Sequence, residues 1–495
     1  LSFPFGFITI LSLLATFLVV NLVEWVKMTC GNVSFSIILL QLTSPIKGTD
    51  SGIINSIIKT AVVPPVLLAV AAVLCYLFIV RGMYALEDLP VKKIPRWSKI
   101  CIEVVMVVFF LHTVQIQGTE IGMWDYIQSV RESSDFYEKE YVNPAKVKMT
   151  FPKEKKNLIY IFMESMESSY ADKEDGGTME DNYIPNLTKL ARENVQFTDK
   201  KDGKVGGPVC LEATAYTAGG LIAQTSAINL KVMNSGAVSD SFLPNLTALG
   251  DILNKQGYNQ MFLCGSDGDF AGRDAYFKTH KDYQIEDYKA AIKEGDIPKD
   301  YKVYWGHEDK VLYERAKKNL KKLSKEGKPF NLTMLTVDTH FPNGYICDLC
   351  ENKYDTTYGN AVACADRQVY DFVQWIKKQD FYEDTTIIIA GDHTSMVDTG
   401  SKFWKSLSND YQRTVYNAII NPQCAYKKKV TTKRKFSTMD MFPTTLAALG
   451  VEIDGDKLGL GTNLFSGEET LREELGANYI NKELKRNDKM YNQFY

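Results

Sequence analysis

Thr385-Thr386-Ile387-Ile388-Ile389-Ala390-Gly391-Asp392-His393 decides the fold of this chain. The uncharged, mostly β-branched run before the glycine reads as a strand buried on both faces, the kind found inside a parallel sheet. Gly391 then lets the backbone turn sharply. A carboxylate and an imidazole follow side by side at the strand's C-terminal end. In open α/β sheets ligands bind at that end, and Asp with His suits a divalent metal of the zinc or manganese type. The competing reading is an ordinary strand-to-helix turn in which Asp392 caps the next helix.

Working outward, the same pattern recurs. Leu158–Met163 is a predicted strand ending at Glu164. Gln260–Cys264 opens into a loop with Gly265, Asp267, Gly268 and Asp269. Leu332–Val337 runs into Asp338-Thr339-His340. Between them Pro185–Glu193 and Ala363–Lys378 carry helical spacing. Strand and helix alternate, which predicts an α/β domain with a mainly parallel sheet between helices. Four apolar runs thus end in ligand-capable residues at one kind of position. Glu164 adds a third ligand to Asp392 and His393, leaving a coordination position open, as a catalytic metal needs. Glu167 reads as a solvated loop acid.

A nucleophile belongs near such a metal. Residues 206–220, Gly-Gly-Pro-Val-Cys-Leu-Glu-Ala-Thr-Ala-Tyr-Thr-Ala-Gly-Gly, read as a loop feeding a helix. A helix N-terminus offers free N–H groups and a favourable dipole to an anion. Thr214 is the candidate nucleophile, its hydroxyl activated by the metal. Capping is the competing role for Thr214 and Thr217 alike.

The chain's 495 residues are too many for one core. Net charge is −3, and no block of like charge is long enough to hold nucleic acid. Residues 1–117 are strongly apolar, with predicted spans at 5–23, 61–80 and 100–116. Arg81, Lys92, Lys93, Arg96 and Lys99 outweigh Glu87 and Asp88 between the last two, which puts that loop in the cytoplasm and everything after Gln117 outside. Residues 33–59 read as an interfacial segment and 118–156 as a connector. Residues 157–466 read as the catalytic domain and 467–495 as a helical tail. In an exported domain disulfides persist. Two of Cys347, Cys350 and Cys364 are expected to pair, with the pairing open.

Several further stretches carry a family resemblance. "IPNLTKLARENVQFTD" at 184–199 resembles the Pro-Asn-Leu helix of the sulfatase and alkaline phosphatase superfamily. "FMES" at 162–165, "TAYTAGG" at 214–220, "AGDH" at 390–393 and "FSTMDMFPTTLAALG" at 436–450 fall in that superfamily's order. Within it, "GSDGDFAGRDAYFKTH", "YWGHEDK", "LTVDTHFPNGY" and "CADRQVYDFV" are similar to membrane-bound phosphoglycerol transferases, lipoteichoic acid synthases and above all the branch that decorates periplasmic glucans. The resemblance implies metal ligands at Glu164, Thr214, Asp392 and His393, with Thr214 as nucleophile. It implies substrate contacts from Arg273, Asp267, His307 and His340, with His340 also moving a proton. It implies manganese, with zinc as the alternative, and phosphatidylglycerol in the bilayer as donor. The acceptor is an extracytoplasmic glycan or a glycerol-phosphate, teichoic-type polymer. The location is a bacterial cell membrane, multi-pass, with the catalytic domain outside. Phosphoethanolamine transfer is the alternative activity. A formylglycine sulfatase is excluded, because Cys210 is followed by Leu-Glu-Ala-Thr rather than a Cys-x-Pro-x-Arg pattern. Cys264 and Ala271 stand where lipoteichoic acid synthases place histidine and tryptophan, so the headgroup pocket is not a simple copy.

Overall fold

The computed structural model describes residues 3–30, 35–36, 38–39, 51–85, 96–201, 203–231, 241–281 and 283–495. The chain forms two compact units, residues 1–35 with 49–128 and residues 36–48 with 129–495. Most of the expected interfacial segment before residue 51, and residues 86–95 of the expected cytoplasmic loop, lie outside the described residues.

The smaller unit contains α1 (Phe3–Cys30), α2 (Val63–Ala85) and α3 (Arg96–Glu120). Among the described residues three stretches, Phe7–Met28, Gly52–Cys75 and Ile100–Glu120, are long and apolar enough to cross a membrane. Leu67, Leu74, Phe78, Val105 and Leu111 are each more than half exposed, an arrangement that suits hydrocarbon rather than water. The second stretch begins earlier than predicted. Pro64 and Pro65 have no N–H to give and crowd the carbonyls a turn before them. The helix absorbs this by widening to a π turn over Ile58–Val62, with the Val63 N–H donating back to Ile58 O.

In the larger unit six strands form one sheet: β1 (Asn157–Met163), β2 (Asn259–Cys264), β3 (Gln284–Glu286), β4 (Phe330–Leu335), β5 (Thr385–Gly391) and β6 (Asn417–Ile420). The order is β3-β2-β4-β1-β5-β6, parallel throughout except for the β5–β6 edge pair. All seven residues of β5 are buried, as its composition demands. Six helices matter for the site: α4 (Pro185–Glu193), α5 (Thr217–Ser226), α6 (Arg273–Thr279), α7 (Asp309–Leu323), α8 (Thr357–Ile376) and α9 (Met441–Ala448).

Alternate residues of each strand serve opposite layers. Ile159, Ile161, Ile387 and Ile389 pack in one core with Leu187 and Leu190 of α4, Leu312 and Leu320 of α7, and Val369 and Phe372 of α8. On the other face Tyr160 donates its hydroxyl to Gln224 of α5, and Phe262 stacks on Phe277 of α6. β1 lies between β4 and β5, with Phe162 level with Leu335 and Met163 level with Gly391. Three chain segments therefore leave the sheet side by side, carrying Glu164, the residues after Leu335, and Asp392.

Residues 129–156, expected as part of a connector, belong to the larger unit. Ser133–Ser134 pairs in parallel with Asn487–Asp488, and Met149–Thr150 pairs antiparallel with Glu452–Ile453. Tyr137 packs edge-on against Tyr491 and Phe494. The tail holds the short helices Leu471–Leu475 and Ala477–Lys485. Cys350 and Cys364 form the disulfide, tying the loop after His340 to α8, while Cys347 is free.

Candidate functional site

Leaving β1, the Glu164 N–H donates to Thr336 Oγ1 (2.9 Å). Ser165 takes a left-handed turn (φ 51°), and its N–H donates to Asp392 Oδ1 (2.8 Å). The His393 N–H donates to the same oxygen (2.8 Å). Asp392 Oδ1 is thus held by two amides, while Oδ2 is buried with no hydrogen-bond partner among the described residues. His393 Nδ1 lies 2.8 Å from Thr394 O, so it carries the proton and donates it there. That leaves Nε2 facing the carboxylates, 3.4 Å from Glu164 Oε1 and 3.5 Å from Asp392 Oδ2. Gly391 serves differently from the sharp turn expected of it. It lies within β5, and a Cβ there would sit 2.0 Å from Met166 O, so close approach is what excludes a side chain.

The hydroxyl at this cluster belongs to Thr217. It opens α5, 3.2 Å from Glu164 Oε2 and 3.4 Å from His393 Nε2. Thr214, the expected nucleophile and fourth ligand, is not brought to the cluster. It is fully buried, takes the Leu211 N–H on Oγ1 (2.8 Å) and donates back to Leu211 O (3.0 Å). The chain turns left-handed at Ala213 (φ 58°), which folds Thr214 inward, and three residues later the helix begins at the edge that carries Glu164 and His393. The signal for Thr217 was the glycine pair after it. A Cβ on Gly220 would lie 2.1 Å from Asp392 O, so α5 docks on the Asp392 backbone itself. Gln224, one turn on, donates to Gly391 O (2.9 Å) while accepting from Tyr160.

Glu167 also differs from the solvated acid expected. It is fully buried, accepts the Ser395 N–H (2.8 Å) and forms a two-pronged ion pair with Arg413. Arg413 in turn donates to Ser395 O (2.7 Å) and lies over the Trp404 ring. The pair grips the Ser395 backbone from both sides, and the adjoining Thr394 carbonyl orients His393.

Arg273, at the start of α6, is buried, donates to Phe270 O, Ser266 Oγ and Asp267 O, and packs over Phe270. The Asp267 carboxylate is engaged by Lys289 (2.7 Å) and serves its own loop. His307, expected to contact substrate at the pocket rim, is fully buried; a Cβ on Gly265 would approach its ring at 3.1 Å. It sits beneath the loop, not on its surface. His340 donates Nδ1–H to Phe341 O (2.8 Å), leaving Nε2 as the free nitrogen, and its ring packs against Trp305 and Phe341. Asp309 of α7 accepts the Val337 and Asp338 N–H groups and so fixes the loop that carries His340.

Burial pulls His340 below the usual imidazole range, with Glu164 only partly opposing it, so the ring is neutral near pH 7. Burial works against the charge on Glu164 too, but His393 and His340 outweigh it and hold the carboxyl low. Asp392 is pushed up by burial and by Glu164. Burial also opposes charge on His393, yet Asp392 and Glu164 raise it to about 10. The ligand atoms of Glu164, Asp392 and His393 lie within 4.8 Å of one another. Two carboxylates, an imidazole with its second nitrogen already committed, and an adjacent hydroxyl fit a divalent ion of the manganese or zinc type. The unpartnered Asp392 Oδ2 is the atom such an ion would satisfy.

A pH dependence follows. Without the ion His393 holds a proton up to about pH 10, and that proton must leave before Nε2 can ligate. Metal affinity is therefore expected to rise with pH between 6 and 9, by roughly tenfold per unit for each proton released. Titration calorimetry in buffers of different ionisation enthalpy counts the protons; affinity flat across that range would contradict the assignment.

A family model described as "Sulfatase" matches residues 156–451. The chain is 33% identical over 341 residues to phosphoglycerol transferase I from Salmonella choleraesuis (strain SC-B67), and likewise to that from Shigella flexneri. Those alignments take in 66% of this chain but only 41% of each relative's length. Among solved structures, the fold is similar to lipoteichoic acid synthase LtaP from Listeria monocytogenes (TM-score 0.51, 19% identity, 65% of this chain and 79% of that one). It is also similar to lipooligosaccharide phosphoethanolamine transferase A (EptA), an integral membrane protein from Neisseria meningitidis (TM-score 0.53, 14% identity, 91% and 85%).

Proposed function

The chain belongs to the sulfatase family, and from that premise we propose that it is a membrane-anchored phosphotransferase. It moves glycerol phosphate from phosphatidylglycerol to an extracytoplasmic glycan or teichoic-type acceptor. The observation that carries this reading is the Thr217 hydroxyl at the N-terminus of α5, in contact with both Glu164 and His393. The helical stretches long enough to cross a membrane keep the domain with a lipid donor, and the phosphoglycerol transferase I relatives point to the headgroup.

Glu164, Asp392, His393 and Thr217 would hold a divalent ion, manganese in our reading with zinc as the alternative. When bound, that ion supplies the positive charge that lowers the hydroxyl pKa and neutralises phosphate oxygens. Thr217 Oγ, its proton lost to water, attacks phosphorus; the bond to the diacylglycerol oxygen breaks, that oxygen takes up a proton from water, and a phosphoglycerol ester of Thr217 stays behind. Free N–H groups in the first turn of α5 face the phosphate oxygens. Arg273 lies within electrostatic reach of His340, with its Nε and Nη2 committed to its own loop and Nη1 left to meet a phosphate oxygen. An acceptor hydroxyl then attacks the ester, neutral His340 takes its proton through Nε2, and Thr217 Oγ departs.

The test is the ester itself. Full-length protein in liposomes containing phosphatidylglycerol, quenched in acid and digested, should carry one phosphoglycerol mass on the peptide with Thr217. A phosphoethanolamine mass, found when that lipid is supplied instead, would replace the donor. An unmodified Thr217 beside a modified Thr214 would overturn the nucleophile.

A further inference from the structure

Two turns carry the cluster, one with Glu164 and Ser165 after β1, the other running from Asp392 to Ser395 after β5. In the first, Ser165 Oγ donates to Glu164 Oε1 (2.7 Å), and the Ser165 carbonyl accepts the Tyr170 hydroxyl (2.9 Å). With the N–H already given to Asp392, all three polar groups of Ser165 are engaged. Its left-handed backbone (φ 51°) is one a non-glycine residue keeps only where surrounding contacts enforce it. In the second turn Ser395 Oγ accepts the Val397 N–H (3.1 Å) and the Tyr358 hydroxyl (2.8 Å). The Tyr170 and Tyr358 hydroxyls lie 3.1 Å apart. A buried line of hydroxyls therefore runs from Ser165 O to Ser395 Oγ and joins one turn to the other.

We propose that Tyr358 is a positioning residue for the divalent ion: through Tyr170 and Ser395 its hydroxyl fixes the spacing of the Glu164 and His393 turns, and with it the affinity of the cluster. The inference rests on the metal assignment above. Tyr358 lies in the first turn of α8, a helix that supplies none of the ligands. Packing alone already holds the two rings. Phe403 meets both edge-on, with centroids 5.4 Å from Tyr170 and 4.9 Å from Tyr358. The hydroxyls add a link between chain segments that the rings do not provide. Ligands drawn from two segments bind an ion tightly only when those segments stand at the ion's spacing before it arrives; otherwise binding has to order them. Glu164 also pushes the Asp392 carboxyl up, a sign of repulsion across the empty cluster that the link restrains. The same helix receives the disulfide from the loop after His340, so α8 braces that loop as well.

The experiment titrates full-length, metal-stripped protein in detergent with manganese ion alone, read by calorimetry without substrate. Tyr358→Phe is expected to weaken binding about tenfold. Tyr170→Phe should do the same, and the double variant no more than either, because one link is cut twice. Tyr416→Phe is the control: it removes an equally buried hydroxyl that donates to Leu187 O of α4 (2.7 Å), and its affinity should match wild type. Thermal midpoints of the metal-free proteins establish that each variant is folded at the temperature used. Unchanged affinity in Tyr358→Phe, additive losses in the double variant, or an equal loss in Tyr416→Phe overturns the proposal. A wild-type protein that binds neither manganese nor zinc, or whose binding survives Glu164→Gln undiminished, overturns the metal assignment and this inference with it.

Discussion

Thr217→Ala is expected to reduce transfer at least about a thousandfold and to leave no covalent ester, because the attacking oxygen is gone. Thr214→Ala separates the two threonines. Its hydroxyl closes the Leu211 turn and touches neither Glu164 nor His393, so the ester should still form. The cost falls on stability, about 1–3 kcal/mol for a buried N–H left without its acceptor. Mass spectrometry of the Thr217 peptide together with thermal denaturation of each variant distinguishes these outcomes. Loss of the ester in Thr214→Ala at a temperature where that protein is folded would reverse the assignment. Thr217→Ser keeps the nucleophilic oxygen and should keep measurable transfer.

Gly220→Ala is the second large effect. The added methyl would lie 2.1 Å from Asp392 O and 2.8 Å from its carbonyl carbon. Both are backbone atoms of a residue whose carboxylate is held by two amides, so neither side yields without moving the cluster. Overpacking of this kind costs roughly 1–3 kcal/mol or more. Separating α5 from Asp392 also moves Thr217 away from Glu164 and His393. The expected result is a lowered thermal midpoint and a loss of bound metal, read by elemental analysis of protein purified under identical conditions. A Gly220→Ala protein that retains metal and transfer would show that α5 shifts freely, contrary to the packing described.

The contrast between those two threonines shows what the sequence could carry. β5 was legible to within a residue because a run of that composition has no stable place except a sheet interior. Glu164, Asp392 and His393 followed from strand ends, since a parallel sheet brings such ends to one edge. Thr217 was not separable from Thr214, because which hydroxyl reaches the edge depends on a left-handed turn at Ala213 and on how closely α5 docks. Glu167 was misread for a related reason. Its partner Arg413 is remote in the chain, and only the fold shows that a charge beside a turn is buried and gripped. α7 escaped notice because its lysines mask the spacing of Leu312, Ala316, Leu320 and Leu323, all of which are buried. The order of the strands, and the pairing of residues 133–134 with 487–488, depend on contacts no local pattern records.

That pairing has a kinetic consequence. β1 is synthesised early, yet Asn157 meets Thr385 across 228 residues, and Tyr137 meets Asp488 across 351. The central strand is therefore made well before one neighbour and the opening segment of the domain before its last partner. Contacts so remote in the chain slow folding and leave an apolar strand with open edges while synthesis continues. Most of the domain must emerge from the ribosome before the sheet can close, and the Glu164–Asp392–His393 cluster, which draws on the ends of both β1 and β5, cannot assemble any sooner.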